Sequence, residues 1–234
     1  MHKIKSLHMK NLNISFFLLL ICISGFVNSC ASYAPRNNKL SVVLSKTQQA
    51  ITGLEEKIIK SKEDELIQVY SKLNKKSEEL FPLLKKCNDK YALTTEYIKT
   101  LQETEKILRN MVKEYETLPD KIFILDAISQ DYDAKLQTIK NTAKNDATTK
   151  IKVIVNSNEE EGFFVFGKLS YEQGQDIKRF RFNQPTQNAV QDFVPGYYLF
   201  WLEKEDRIGE PELHLIMSNA GEEEKTLVLK TPKL

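Results

Sequence analysis

Cysteine, histidine and glycine are all scarce in this chain of 234 residues, and each shortage excludes something. The three cysteines are Cys22, Cys30 and Cys87. Cys22 and Cys30 lie in or at the end of an apolar leader, which leaves Cys87 alone and rules out a disulfide framework. Cys87 falls on an apolar helical stripe, so burial is expected for it rather than cross-linking. Of three histidines, His2 and His8 precede the leader and only His214 lies downstream. Common zinc sites therefore lack ligands, and a histidine-dependent triad would have to use His214 itself. No Gly-x-Ser-x-Gly elbow exists to receive it, and no glycine-rich phosphate loop is present. His214 sits in the alternating run Glu212-Leu213-His214-Leu215-Ile216 and reads as a satisfied or solvated histidine. A large excess of one charge is missing too: 34 basic residues face 32 acidic ones, for a formal net charge of +2. That balance does not suit nucleic acid.

What is present begins at the front. A short basic start at Met9-Lys10 leads into an apolar run from Ile14 to Val27, then Val27-Asn28-Ser29-Cys30. The run is shorter than the ~20 residues a spanning helix needs, which favours a cleaved signal over an anchor. Met9 gives a more usual leader length than Met1. With a cysteine at the cut point, residues 1–29 resemble the signal peptide of a bacterial lipoprotein precursor. Val27 and Ser29 fit that pattern, and Asn28 departs from it. The resemblance implies that Cys30 carries a diacylglycerol and that fatty acid, palmitate among the candidates, anchors the mature chain. Ala31, where an Asp would hold a lipoprotein at the inner membrane, points to the outer membrane. The tract 30–38 reads as a tether, and its lack of an acidic cluster points to the periplasmic face.

From residue 39 to about 146 the pattern is helical. Leu40, Leu44, Thr47, Ile51, Leu54 and Ile58 alternate steps of four and three. Leu80, Leu84, Cys87, Tyr91, Thr94, Ile98, Leu101, Glu105, Leu108, Val112 and Tyr115 do the same, as do Leu118, Ile122, Leu125, Ser129, Tyr132, Leu136 and Ile139. This is the seam of an antiparallel bundle or coiled coil. Three or four helices are expected, with a single rod pairing between chains, and so a homo-oligomer, as the competitor. A turn is expected near Ser61, where the phase slips. Thr117-Leu118-Pro119-Asp120 should start a helix with Pro119 in its first turn. Pro82 should kink a helix or begin one. Because these contacts are local, the segment should fold by itself. Asp131 and Asp133, flanking Tyr132 on the seam, read as solvated helix face.

Residues 141–149 lose the period and read as a linker. Beyond it, from 150 to 234, short alternating runs bounded by turns predict about six strands and a small antiparallel β-sandwich. The fold class expected is therefore α+β with the two parts segregated. Tyr197 to Leu202 is apolar on both faces, so both faces should be covered. Lys178, Phe180 and Phe182 alternate with Ile177, Arg179 and Arg181, which sets a basic stripe beside the aromatics.

The order Val155-x-Ser157, acidic turn, Gly162-Phe163-Phe164-Val165, then Pro195-Gly196-Tyr197, is similar to PEGA-type and carboxypeptidase-regulatory-like sandwich modules. The likeness covers the last third of the chain, and Glu159-Glu160-Glu161 stands where the PEGA motif holds Pro-Glu-Gly. It implies a non-catalytic module for attachment or scaffolding. The chain accordingly reads as a lipid-anchored, non-enzymatic envelope protein that presents a sandwich to another envelope protein. Arg179, Arg181 and Trp201 are its expected contacts, and no metal or other cofactor is expected. A glycan-binding lipoprotein, or a lipoprotein of an envelope-spanning secretion assembly, is the alternative.

Overall fold

A computed structural model describes residues 38–90, 93–142, 149–172, 180–187, 189–219 and 222–232. Four helices come first: α1 (Lys39–Ser61), α2 (Asp64–Lys90), α3 (Thr95–Lys113) and α4 (Lys121–Asn141). Eight strands follow: β1 (Ile151–Ser157), β2 (Phe164–Leu169), β3 (Phe180–Arg181), β4 (Ala189–Phe193), β5 (Gly196–Lys204), β6 (Arg207–Ile208), β7 (Glu212–Ile216) and β8 (Glu224–Leu229). The fold is α+β and segregated, with the helices packed as a bundle.

The helical seam buries as its spacing predicts. Leu44, Ile51, Leu54 and Ile58 of α1 are enclosed, as are Leu73, Leu80, Leu84 and Cys87 of α2. The chain turns at Lys62, which adopts the left-handed region at φ 59°. The Ser61 hydroxyl donates to the Ile58 carbonyl at 2.8 Å and accepts the Glu63 N–H at 3.3 Å. Asp64 and Glu65 then open α2, where carboxylates suit the positive end of the helix dipole. Pro82 lies inside α2 without ending it.

Two breaks differ from expectation. The second seam runs on in phase through Tyr91 and Thr94, yet α2 ends at Lys90 and α3 begins at Thr95. Thr94 caps α3, its side chain accepting the Tyr97 N–H at 3.2 Å, and the Asn88 side chain takes the Leu93 N–H. Polar capping makes this corner, and a hydrophobic period cannot reveal it. At the other break Pro119 stays outside the helix. Asp120 is the left-handed residue before α4, and its side chain makes no cap bond.

The first helix packs on α2 and α3, the second on α4, and α4 in turn on β5 and β7. With twelve of its 21 residues buried, α4 is the spine between bundle and sandwich rather than a one-faced surface helix. All described residues fall in one compact unit.

One sheet has the order β4-β1-β8; the other runs β3-β2-β5, with β6 and β7 both pairing the far side of β5. One pair departs from an all-antiparallel sandwich: β1 and β8 are parallel, with Val155 opposite Leu227. Between the sheets lies an aromatic core of Phe180, Phe182, Phe193, Tyr198 and Phe200, with Phe180 and Phe193 centroids 5.1 Å apart. Gly167 leaves room for it, since a Cβ there would lie 2.7 Å from the rings of Phe180 and Phe200. Strands β4 and β6 were not foreseen, for Ala189–Phe193 alternates weakly and β6 is two residues long.

Candidate functional site

Strand pleating sorts the five-stranded sheet into two faces. Val165, Gly167 and Leu169 of β2 face the core with Tyr198, Phe200 and Leu202 of β5. The opposite face follows from register. Arg181, Phe166 and Trp201 lie in one row across β3, β2 and β5. Phe164, Glu203 and Ile208 form the row on one side, and Lys168, Leu199 and Leu213 the row on the other. Two of the residues expected to make contacts, Arg181 and Trp201, thus share a face. Arg179 lies outside the described residues, as does Cys30.

Arg181 is exposed, and its guanidinium sits 4.6 Å from the centroid of the Phe164 ring. Trp201 is not an open platform. It is 7% exposed and lies nearly parallel to Phe166, with centroids 6.2 Å apart. Its indole N–H donates to Glu203 Oε1 at 2.7 Å. Lys168 is half-buried and donates to the Glu172 carbonyl at 3.2 Å. Leu213 and Ile208 are 43% and 67% exposed. Toward the start of β5 the sheet meets α4, and half-buried Tyr197 there packs against the core.

At that meeting point lies a cluster that the sequence reading placed wrongly. Asp131 is not solvated; it and Lys135 are both fully enclosed. Lys135 donates to Asp131 Oδ2 at 2.6 Å and to the Pro195 carbonyl at 2.9 Å. The backbone N–H of Tyr197 donates to Asp131 Oδ1 at 3.3 Å. Gly196 permits this approach, because a Cβ there would lie 2.6 Å from Asp131 Oδ1. Tyr97, Tyr132, Tyr171 and Tyr198 surround the pair, and Thr104 joins α3 to Tyr171 across 3.0 Å. Burial pushes the Asp131 carboxyl up and the Lys135 amine down, while their mutual attraction opposes both movements. A little further along α4, Thr138 accepts the Ser218 N–H at 3.0 Å and Asn141 donates to the Ser218 carbonyl at 2.9 Å. Asp133, by contrast, reaches the half-exposed Lys76 of α2.

The helices and the sandwich are therefore joined by charge and backbone hydrogen bonds as well as by apolar packing. Among the described residues the cluster leaves no opening for a substrate, since Asp131 and Lys135 are fully enclosed. The i, i+4 spacing of Asp131 and Lys135 was visible in the sequence, and so were the small residues Ala127 and Ala134 on a second stripe of α4. Together they were the signal of a helix covered on two sides.

His214 lies on the inner face opposite Tyr198, against the Phe200 ring at 5.9 Å. Its Nε2 is enclosed without a hydrogen-bond partner among the described residues. Burial pulls its pKa down. Among the described residues no group of three or more His, Cys, Asp or Glu side chains is placed to hold a metal, and no helix is long and apolar enough to cross a membrane. The chain matches no protein-family model, no curated protein and no solved structure.

Proposed function

We propose that this protein is a lipid-anchored component of the bacterial cell envelope, a non-enzymatic adaptor that holds a β-sandwich for another envelope protein to bind. The observation that carries this reading is Val27-Asn28-Ser29-Cys30 after the apolar run. Two or three acyl chains on Cys30 would hold the protein firmly, since each buried methylene contributes ~0.8 kcal/mol. A tether over residues 30–38 then leads into α1. The join between α4 and β5 supports the adaptor reading, because a sandwich fixed to its helices can pass on a position or a pull. The outer membrane, facing the periplasm, is the proposed location, on the strength of Ala31.

The test is Cys30→Ser in the full chain. Radiolabelled fatty acid and partitioning into detergent should both be lost. A variant that still labels and stays with the membrane would defeat the anchor. Cross-linking from the sandwich surface in whole cells tests the adaptor half separately.

A further inference from the structure

The two sheets differ on their outward faces, and the difference points to a partner. On the three-stranded sheet, Lys152 pairs with Glu224 of β8 and stands opposite Asp192 of β4, so no positive charge is left over there. On the five-stranded sheet, Arg181 and Lys168 stand in neighbouring rows, and neither pairs with a carboxylate among the described residues. Among the described residues of that face the one carboxylate is Glu203, which accepts the Trp201 indole N–H and offsets one of the two positive charges. Phe166 adjoins both cations, with Phe164 one row further along β2, Leu199 across from Lys168 and exposed Leu213 beyond Leu199. An apolar strip with a net positive charge is complementary to apolar side chains flanked by carboxylates.

We propose that this outer face of the five-stranded sheet docks an acidic polypeptide segment of the partner protein. The proposal rests on the adaptor reading and gives the partner its chemistry. A sugar would need a flat aromatic ring open to solvent. Here Trp201 is 7% exposed with its N–H engaged, and the Arg181 guanidinium lies over the Phe164 ring. What the face offers outward is branched aliphatic surface at Leu213 and Ile208 on one side of β5, with the Arg181 guanidinium and the Lys168 ammonium on the other side. That surface fits interdigitating side chains and carboxylates of a protein. Arg181 and the aromatic row supply the anchor types in which protein interfaces are enriched.

The experiment uses the full-length, lipidated chain in whole cells, with a photoreactive amino acid placed at Leu213, at Ile208, or at Val42 on α1, which is 53% exposed. Leu213 and Ile208 should each cross-link to one protein, at a peptide of net negative charge. Arg181→Glu with Lys168→Glu should lower the yield by about tenfold, as expected for charged anchors, while the melting temperature stays put. A silent Leu213 and Ile208, a basic or neutral cross-linked peptide, a polysaccharide adduct, or a yield that the double reversal leaves unchanged would each overturn the docking face. If Val42 cross-links a protein while the sheet positions stay silent, the docking face falls and the adaptor reading survives. If none of the three positions captures a protein, both fall.

Discussion

Two ionic clusters in this protein use the same chemistry at opposite extremes of burial. Asp131 and Lys135 are both fully enclosed at 2.6 Å between α4 and β5. Glu160 meets Lys204 at 2.5 Å and Arg207 at 2.8 Å, with side chains 46%, 29% and 20% exposed. Burial drives the Asp131 carboxyl upward, whereas Arg207 and Lys204 hold Glu160 down at about 2. Enclosed charges must be satisfied by their surroundings, so the inner pair demands a fixed geometry from Pro195, Gly196 and Tyr197. The outer cluster only ties the acidic turn after β1 to the turn between β5 and β6, and water screens it. The lesson is that the inner pair specifies how helices and sandwich meet, while the outer one adds local order.

The largest effect should come from breaking the inner pair on one side. Lys135→Ala leaves Asp131 enclosed without its cation, which typically costs about 3–5 kcal/mol. Trp201 is the sole tryptophan and reports the sandwich, while far-ultraviolet circular dichroism reports the helices. In the native protein the two signals should unfold together in denaturant. In Lys135→Ala both midpoints should fall, or the signals should separate. Unchanged, coincident midpoints would reduce the pair to decoration. The same logic revises the expectation that the helical segment folds alone. A fragment of residues 39–142 keeps its seam but loses the strand partners of Asp131, Lys135, Thr138 and Asn141. It should be helical and melt well below the full chain.

A second variant presses on the same contact from the strand side. Gly196→Ala would place a Cβ 2.6 Å from Asp131 Oδ1, and overpacking of this kind costs about 1–3 kcal/mol. Its denaturant midpoint should lie between those of the native protein and Lys135→Ala. A midpoint equal to the native one would mean that α4 and β5 can separate without loss.

How far the sequence carried the reading follows from which faces it could see. Alternating steps of four and three exposed the bundle because each outer helix buries one stripe. Strand alternation likewise found the Arg181 and Trp201 strands, while the pairing register is what puts the two residues on a common face. The same logic failed at α4, where a single seam through Leu125, Tyr132 and Leu136 left Asp131 facing outward by default. That helix is covered by α2 on one side and by β5 and β7 on the other, so the side on which Asp131 lies is enclosed. Sequence spacing gives the period of a helix, but only tertiary packing says how many neighbours it has. Trp201 shows a milder form of the same limit. Alternation left both faces of its strand apolar, and the register puts its ring on the outer one, where Phe166 and Glu203 take up its surface and its N–H.

Between the two extremes stands His214, half-buried with Glu212 at 3.9 Å on its own strand, Lys225 across the gap and Phe200 beneath it. Burial lowers its folded pKa, with Lys225 adding to the effect and Glu212 opposing it. Below about pH 6.5 the unfolded chain takes up a proton that the folded chain resists. Stability should therefore be fully present above that pH and decline as pH falls toward the lowered folded value. His214→Leu should flatten the slope of stability against pH below about 6.5. A slope unaffected by the substitution would assign it to another group.

The smallest effect is expected at the exposed cluster, and it is better read as a titration than as a melt. Glu160 has its folded pKa held down at about 2, first by the hydrogen bond from Arg207 and then by that from Lys204. A depressed carboxylate contributes stability above its unfolded value near 4.3, and the contribution is lost as pH falls through the folded value. The window thus runs from roughly pH 5 down to about 2, the opposite end of the scale from the histidine. Carboxyl carbon NMR should show Glu160 titrating near its low midpoint at low salt. Replacing both Arg207 and Lys204 by Met should return that midpoint to the ordinary carboxylate range, and added salt should move it the same way in the native protein. Thermal stability at neutral pH should fall less in Glu160→Gln than in Lys135→Ala, because water screens these charges. A large destabilisation by Glu160→Gln, comparable with that of Lys135→Ala, would erase the distinction between the two clusters. It would also mean that the acidic turn after β1 is held as firmly as the joint between α4 and β5.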